Sequence, residues 1–445
     1  MARILSPSDY GLMGMLLIFT ALSDAIMNGG FSTALIRKND RTDVDMSTVF
    51  YFNIVISLCL YGLLFLSAPW IADFYEAPLL KDLVKVAAIP FVLNAFCLIQ
   101  RTYFIIQMDF KTQAKYSVVS ALVKGGSGIY MAYNGYGVWA IAWSGVFGTV
   151  TMCLLYWWNS VWRPRLLFSF QSFRELFAFG SKLMVSNILD VLGNNFFTII
   201  IGKRFAAASL GYYTRAFGYA SLPTSVLSGV LSRVTLPMFS KIQDDDERLS
   251  DVYQRLLNLS AFITFPLMTG LALLAYPLIA LILTERWIPC VDYLQILCFM
   301  FILHPIHVLN LNLLQVKGRS DLFLRLEFIK KTLMFIMLVV TVPMGILCIC
   351  IGGVLCSFFS WGINAYYTGR LIQIGFIKQF RNLLPIVGYT LFMCLCVYFV
   401  NNSILMYEIR LLVGFIVGVL SYLFVAYCFH SSELRFIMHL FTHRD

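Results

Sequence analysis

Apolar residues run along this chain in long blocks broken by short polar connections. About 20 mainly apolar residues carry an α-helix across a bilayer, and roughly thirteen blocks reach that length. They lie near residues 10–36, 47–73, 82–107, 114–134, 136–160, 172–202, 209–239, 255–284, 291–315, 322–347, 349–374, 382–401 and 409–430. The pattern predicts an all-α polytopic membrane protein with about 13 transmembrane helices.

Composition agrees. Of 445 residues, 60% are hydrophobic and 13% charged, with a mean hydropathy of +0.79; soluble domains carry about 45–50% apolar and about 25% charged residues. Aromatics, at 16%, suit the belts at membrane–water interfaces. Met1–Asp9 lacks the charged start and short apolar core of a cleavable signal peptide. The 11 cysteines lie mostly in the apolar blocks, with Cys290 expected in a loop, and their spacing fits packing rather than zinc.

A net charge of +10 raises the question of a nucleic-acid surface, and the placement of the charge answers it. Every second connection is basic: Arg37, Lys38 and Arg41; Arg101, Lys111 and Lys115; Arg163, Arg165 and Arg174; Lys241, Arg248 and Arg255; Lys317, Arg319 and Arg325; Arg370, Lys378 and Arg381; then Arg435 and Arg444 in the tail. The opposite set holds Arg3, Lys81, Lys85, Lys203, Arg204, Arg286 and Arg410, which makes 20 against 7. Such an excess marks cytoplasmic loops. The charge is a topology signal and no nucleic-acid partner is expected; the C-terminus is predicted to be cytoplasmic and the N-terminus outside.

Two internal matches suggest a repeat. Gly62-Leu63, Leu66, Pro69 and Ile71 coincide at one offset with Gly270-Leu271, Leu274, Pro277 and Ile279. More weakly, Ala2–Ser8 matches Lys203–Ser209, each leading into a Gly/Tyr pair, Tyr10-Gly11 and Gly211-Tyr212. Duplicated halves are a device of transporters in which one half rocks against the other. Residues 203–209 follow the long 172–202 helix, whereas 2–8 have no such partner, so the N-terminal lobe is expected to lack its first helix, through truncation or a late start codon. The expected divisions are 1–160 for the first lobe, 161–376 for the second, and 377–445 for two extra helices and a cytoplasmic tail.

Met1–Tyr10, Gly202–Tyr213 with Arg215 behind it, Leu222–Gln243 and Phe265–Ile279 resemble the polysaccharide and O-antigen (lipopolysaccharide biosynthesis) flippases of the multidrug/oligosaccharidyl-lipid/polysaccharide exporter superfamily. The resemblance covers roughly residues 1–375 well and the last two helices loosely. It implies two six-helix lobes around a central cavity, followed by two further helices. It also implies alternating-access transfer of undecaprenyl-diphosphate-linked oligosaccharide from the cytoplasmic to the periplasmic leaflet of a bacterial inner membrane. It implies membrane lipids, a polysaccharide polymerase and chain-length machinery as partners of a monomer, no cofactor, and a coupling ion, H+ or Na+, left open.

No motif of an enzyme is present: no Gly-rich phosphate loop, no G-x-S-x-G, no H-E-x-x-H. No catalytic or metal residues are therefore expected. Interest falls on polar groups inside the apolar blocks, which cost about 2.5–3.5 kcal/mol each when charged and default to a functional reading. Asn187, Asp190, Asn194 and Thr198, with Lys182 close by, share one helix face, which either lines a water-filled cavity or forms a polar seam. Arg215 and Arg233 are eighteen residues apart, about five turns, on one face unless Pro223 rotates them. A guanidinium fork matches diphosphate oxygens; the competing role is snorkelling to the nearer interface. Lys124 and Lys330 are further cavity candidates, and Asp24 and Asn28 are an acid–amide pair at i,i+4. Glu327 and Lys331, also i,i+4, read as an ion pair. His304 and His307 flank Pro305 and read as hydrogen-bonded imidazoles at a kink, with proton coupling the alternative. A cation-coupled multidrug exporter of the same superfamily is the second functional reading, but the intramembrane bases outnumber the acids.

Overall fold

The computed structural model describes the backbone of residues 1–28, 31–38 and 40–442; the side chains at 28, 33, 37, 179, 182, 183, 186, 190, 194, 320, 437 and 440–442 lie outside the description. All regular structure among the described residues is helical. Contacts gather the chain into two compact units, Met1–Gly211 and Tyr212–Asp445.

The first unit contains α1 (Pro7–Asn28), α2 (Phe31–Arg37), α3 (Asp43–Phe74), α4 (Leu80–Ala87), α5 (Ile89–Ile106), α6 (Phe110–Tyr133), α7 (Val138–Asn159) and α8 (Phe170–Arg204). Helix α9 (Ala207–Lys241) begins in this unit and runs on into the second. The second unit continues with α10 (Asp246–Leu273), α11 (Ala275–Ile282), α12 (Cys290–Phe301), α13 (His304–Val316), α14 (Ser320–Thr341), α15 (Ile346–Ile372), α16 (Phe376–Ser403), α17 (Tyr407–Cys428) and α18 (Ser432–Thr442).

Each of the predicted apolar blocks falls on helix. Nine spans among the described residues are long and apolar enough to cross a membrane, two of them the broken pairs α4–α5 and α12–α13. Helices α6, α8, α9 and α14 have 22 to 35 residues but carry more polar side chains. Proline explains where blocks break: α5 and α13 both open with proline in their first turn, at Pro90 and Pro305, where its missing N–H costs nothing.

The repeat is visible as a packing order. In the first unit α3 packs on α5, α5 on α7 and α6 on α7; in the second α10 packs on α12, α12 on α15 and α14 on α15. The matched prolines differ: Pro69 stays inside α3, whereas Pro277 lies in the first turn of α11, after the chain breaks at Leu274.

The weaker match has a steric cause. Ser6 opens α1 as a capping box, its N–H and hydroxyl reaching Asp9 Oδ2 at 2.9 and 2.7 Å, with Pro7 as the first helical residue. The start of α9 crosses this segment. A Cβ at Gly11 would lie 1.7 Å from the Ala207 carbonyl oxygen, and one at Gly211 would lie 1.9 Å from that of Pro7. The two matched glycines thus allow two backbones to touch.

Contacts divide the chain at 211, where the sequence reading divided it at 160, because α8 packs on α1 and α2. Its start and the segment before it are pinned to the start of α3 by polar ties. Arg165 N–H donates to Ser47 Oγ at 3.2 Å and Ser169 N–H to Thr48 Oγ1 at 3.1 Å. The Ser172 hydroxyl donates to Asp45, and Arg165 pairs with Asp43 at 3.3 Å. Lys38 bridges Asp45 and Glu175 at 3.3 and 3.1 Å. Burial works against its ammonium, but the hydrogen bonds to Glu175 and Asp45 prevail and raise its pKa above the usual 10.5.

Candidate functional site

The described candidates are divided between the two units. In the first, Asp24 on α1 lies within electrostatic reach of Arg101 on α5. The sequence reading counted Arg101 with a cytoplasmic connection. Yet it lies five residues before the end of α5, about 7–8 Å into the helix at 1.5 Å per residue, beside Cys97 and Tyr156. The signal was available, since Arg101 lies inside the 82–107 block and is followed by an apolar run. Lys124 is exposed on α6, and its stem packs where a Cβ at Gly148 of α7 would lie, 3.0 Å from Lys124 Cβ. Asn187 is exposed on α8. The side chains of Asn28, Lys182, Asp190 and Asn194 lie outside the described residues.

In the second unit Arg215 is half-buried on α9, about 12 Å from the start of that helix, near Tyr219 and the Cys290 thiol. Arg233 is exposed further along α9, which contains Pro223 and Pro237 without interruption. Cys290 is the first residue of α12 and fully buried, not a loop cysteine: a thiol is small and apolar enough to pack there.

The intramembrane ion pair at 2.5 Å joins Glu327 to Lys330, one residue before the expected partner Lys331. On a helix i,i+3 and i,i+4 are both within reach, and the side-chain rotamers choose between them. Lys330 also lies within electrostatic reach of His307. The two imidazoles are hydrogen-bonded as expected. His304 Nδ1 meets Ser228 Oγ of α9 at 2.9 Å; His307 Nε2 meets Ser357 Oγ of α15 at 3.2 Å and its Nδ1 accepts from Asn364 Nδ2 at 3.3 Å. Among the described residues no group of three or more His, Cys, Asp or Glu side chains could hold a metal ion.

Sequence reasoning missed a buried polar hub one turn from His307. Asn310 Oδ1 accepts from Tyr253 Oη at 2.9 Å, Thr368 Oγ1 at 2.6 Å and Gln379 Nε2 at 3.3 Å. Gln379 Oε1 accepts from Trp361 Nε1 at 2.9 Å. All five side chains are buried, so α10, α13, α15 and α16 share one network. Asn310, Trp361 and Thr368 lie in apolar blocks and Tyr253 and Gln379 in basic connections, and only their convergence makes them a unit.

The helix order and the broken spans define a polytopic α-helical membrane protein built as two repeated units. The chain belongs to the polysaccharide biosynthesis protein family, whose signature matches residues 1–292. It is 28% identical over 305 residues to the teichuronic acid biosynthesis protein TuaB of Bacillus subtilis, covering 68% of this chain and 63% of that one. It is 25% identical to the lipopolysaccharide biosynthesis protein WzxC of Escherichia coli, covering 76% of this chain and 68% of that one. The chain thus spans about two thirds of the length of these relatives. The fold is similar to that of the lipid II flippase MurJ in an inward closed conformation, with a TM-score of 0.77 at 15% identity over 96% of this chain and 93% of that one. It is also similar to an inward-facing multidrug resistance MATE family transporter of the MOP superfamily, with a TM-score of 0.63 at 14% identity over 86% and 91%.

Proposed function

We propose that this protein is a flippase that transfers undecaprenyl-diphosphate-linked oligosaccharide from the cytoplasmic to the periplasmic leaflet of a bacterial inner membrane by alternating access. The observation that carries the reading is family membership over residues 1–292, with relatives named for polysaccharide synthesis and, in ExoT of Rhizobium meliloti, for succinoglycan transport. The protein binds its substrate and performs no chemical step on it. Lys124, Arg215, Arg233 and Lys330 are the cations proposed to meet the diphosphate, and Arg101 joins them, because an arginine fork binds phosphate oxygens bidentately. Arg101 lies within electrostatic reach of Asp24, and Lys330 is paired with Glu327. The lobes 1–160 and 161–376, a cytoplasmic C-terminus, a monomeric state, coupling to H+ or Na+ and a polymerase with chain-length machinery as partners belong to the same reading.

Arg215→Ala tests it. Complementation of a flippase-null strain should show surface polysaccharide reduced about tenfold or more, in line with a charged hydrogen bond of about 1.5–3 kcal/mol, at an unchanged membrane level of protein. Arg215→Lys should recover part of the activity, because a point charge lacks the fork. Normal polysaccharide from the Ala variant would remove Arg215 from the site.

A further inference from the structure

A second set of basic residues lies in the second unit where α15 turns into α16. A cavity of about 620 Å³ is lined there by Tyr366, Arg370, Phe376, Ile377, Lys378 and Arg381, with Gly369 and Gly375 as its floor. The turn is tight. Gln373 closes α15 in the left-handed region at φ 59°, and a Cβ at Gly369 would lie 2.6 Å from the Gly375 Cα. Gln379 Nε2 donates to the Ile374 carbonyl at 3.2 Å, which ties the turn to the buried Asn310 hub. The three cations are therefore carried by a rigid frame.

No carboxylate lies within 4.0 Å of Arg370, Lys378 or Arg381 among the described residues. At the same end of this unit Lys317 pairs with Asp246 at 2.5 Å and Arg319 with Asp321 at 2.9 Å. Arg370 is instead set by the Tyr366 ring, 4.6 Å from its centroid. A neighbouring cavity of about 450 Å³ shares Arg381 and contains Glu433 and Arg435, but the Glu433 oxygens accept from Ser431 and Ser432. Gly375 brings no side chain to cap α16, so the partial positive charge of that helix start adds to the three cations. From this point an exposed apolar stripe runs along α16 through Ile377, Phe380, Leu384, Leu391 and Leu395, spaced at helical intervals on one face. Cations at the head and an apolar track along a membrane-length helix match the two ends of one molecule.

We infer that this cavity binds the phosphate headgroup of an anionic glycerophospholipid, whose acyl chains lie along the α16 stripe. A basic pocket at the end of membrane helices is a recognised form of headgroup site. A free phosphate would use the cations alone, whereas a lipid held there also meets the exposed stripe of α16, one of the membrane-length helices.

Native mass spectrometry of the full chain in detergent, titrated with phosphatidylglycerol, phosphatidylcholine or inorganic phosphate, tests the inference. Each cation near an anionic headgroup is worth roughly fivefold in affinity. The triple variant Arg370→Gln, Lys378→Gln, Arg381→Gln should therefore bind phosphatidylglycerol on the order of a hundredfold more weakly. A charge-matched control, Lys111→Gln, Lys115→Gln, Lys241→Gln, should bind as the wild type does. Arg370→Gln alone, expected to lose about fivefold, keeps the experiment readable if the triple variant fails to fold. Phosphatidylglycerol bound no better than phosphatidylcholine, or equally by the triple variant, overturns the site. Displacement of the lipid by inorganic phosphate at equal concentration overturns the lipid assignment.

Discussion

At the scale of single residues, the buried side chains around Asn310 are held in one network. Leaving one partner of a buried hydrogen bond unsatisfied costs about 1–3 kcal/mol. Gln379→Leu should therefore lower the melting temperature in detergent clearly, because it strands the Trp361 indole N–H and removes one donor from Asn310; Gln379→Glu, which keeps the acceptor for Trp361, should melt between the two. The Glu76–Lys203 pair shows a surface contrast. Lys203 donates to Glu76 at 2.9 Å, and this bond, then the ammonium's charge, holds the carboxyl below its usual 4.5. A lowered folded-state value means that the stabilising contribution is complete above the unfolded value and fades as the pH falls through the folded one. Glu76→Gln should thus melt slightly below the wild type at pH 7, with the gap closing in acid below about pH 4.5 and shrinking in high salt. A gap unchanged between pH 7 and pH 3 would mean that the pair does not supply it. The sequence marked Lys203 only as one of the few cations of its set of connections, because nothing local tells a lysine at the end of one helix which carboxylate lies opposite.

At the scale of elements, helices form where the chain's own blocks dictate, while their contacts depend on small residues at crossings. Gly11 and Gly211 let the starts of α1 and α9 touch. Gly11→Val should leave little folded protein in the membrane, since the new side chain meets a backbone oxygen that cannot rotate away. Gly62→Val, at a glycine with nothing within 4 Å of its Cβ position, should accumulate normally. A membrane blot of the two variants decides, and equal levels would contradict the crossing. Both glycines were legible as a weak sequence match, but their reason was not: a repeat shows which positions correspond, not that the two copies meet. The same holds for residues 160–169. Their arginines read as topology charges, while the structure also uses Arg165 and Ser169 to dock the segment on the start of α3.

At the scale of the whole molecule, the charge alternation assigns a side to each connection. Labelling of a chain freed of native cysteines tests it. A cysteine placed at exposed Glu285 should react with a membrane-impermeant thiol reagent on spheroplasts, and one at Asp245 should react only after lysis. The reverse pattern would invert the topology. The native Cys290 is no probe of it, because the residue is fully buried at the start of α12.

What the amino-acid sequence determined by itself was the solvent, the helices and their order. Crossing a bilayer is a sum over some twenty consecutive residues, and the side chosen by Lys and Arg is likewise a property of the short loops between them. Both quantities are local and can be added along the chain. The tertiary structure alone decided the partners: Lys330 for Glu327, Ser172 for Asp45, four distant helices around Asn310, and three cations from two helices around one cavity. A buried charge or amide is satisfied by whatever the rotation and crossing of separate helices bring within about 3 Å. Helix rotation is set by packing over whole faces rather than by the polar residue itself, so polar residues such as Asn310 stood in the sequence inside apolar blocks while their pairing was not legible.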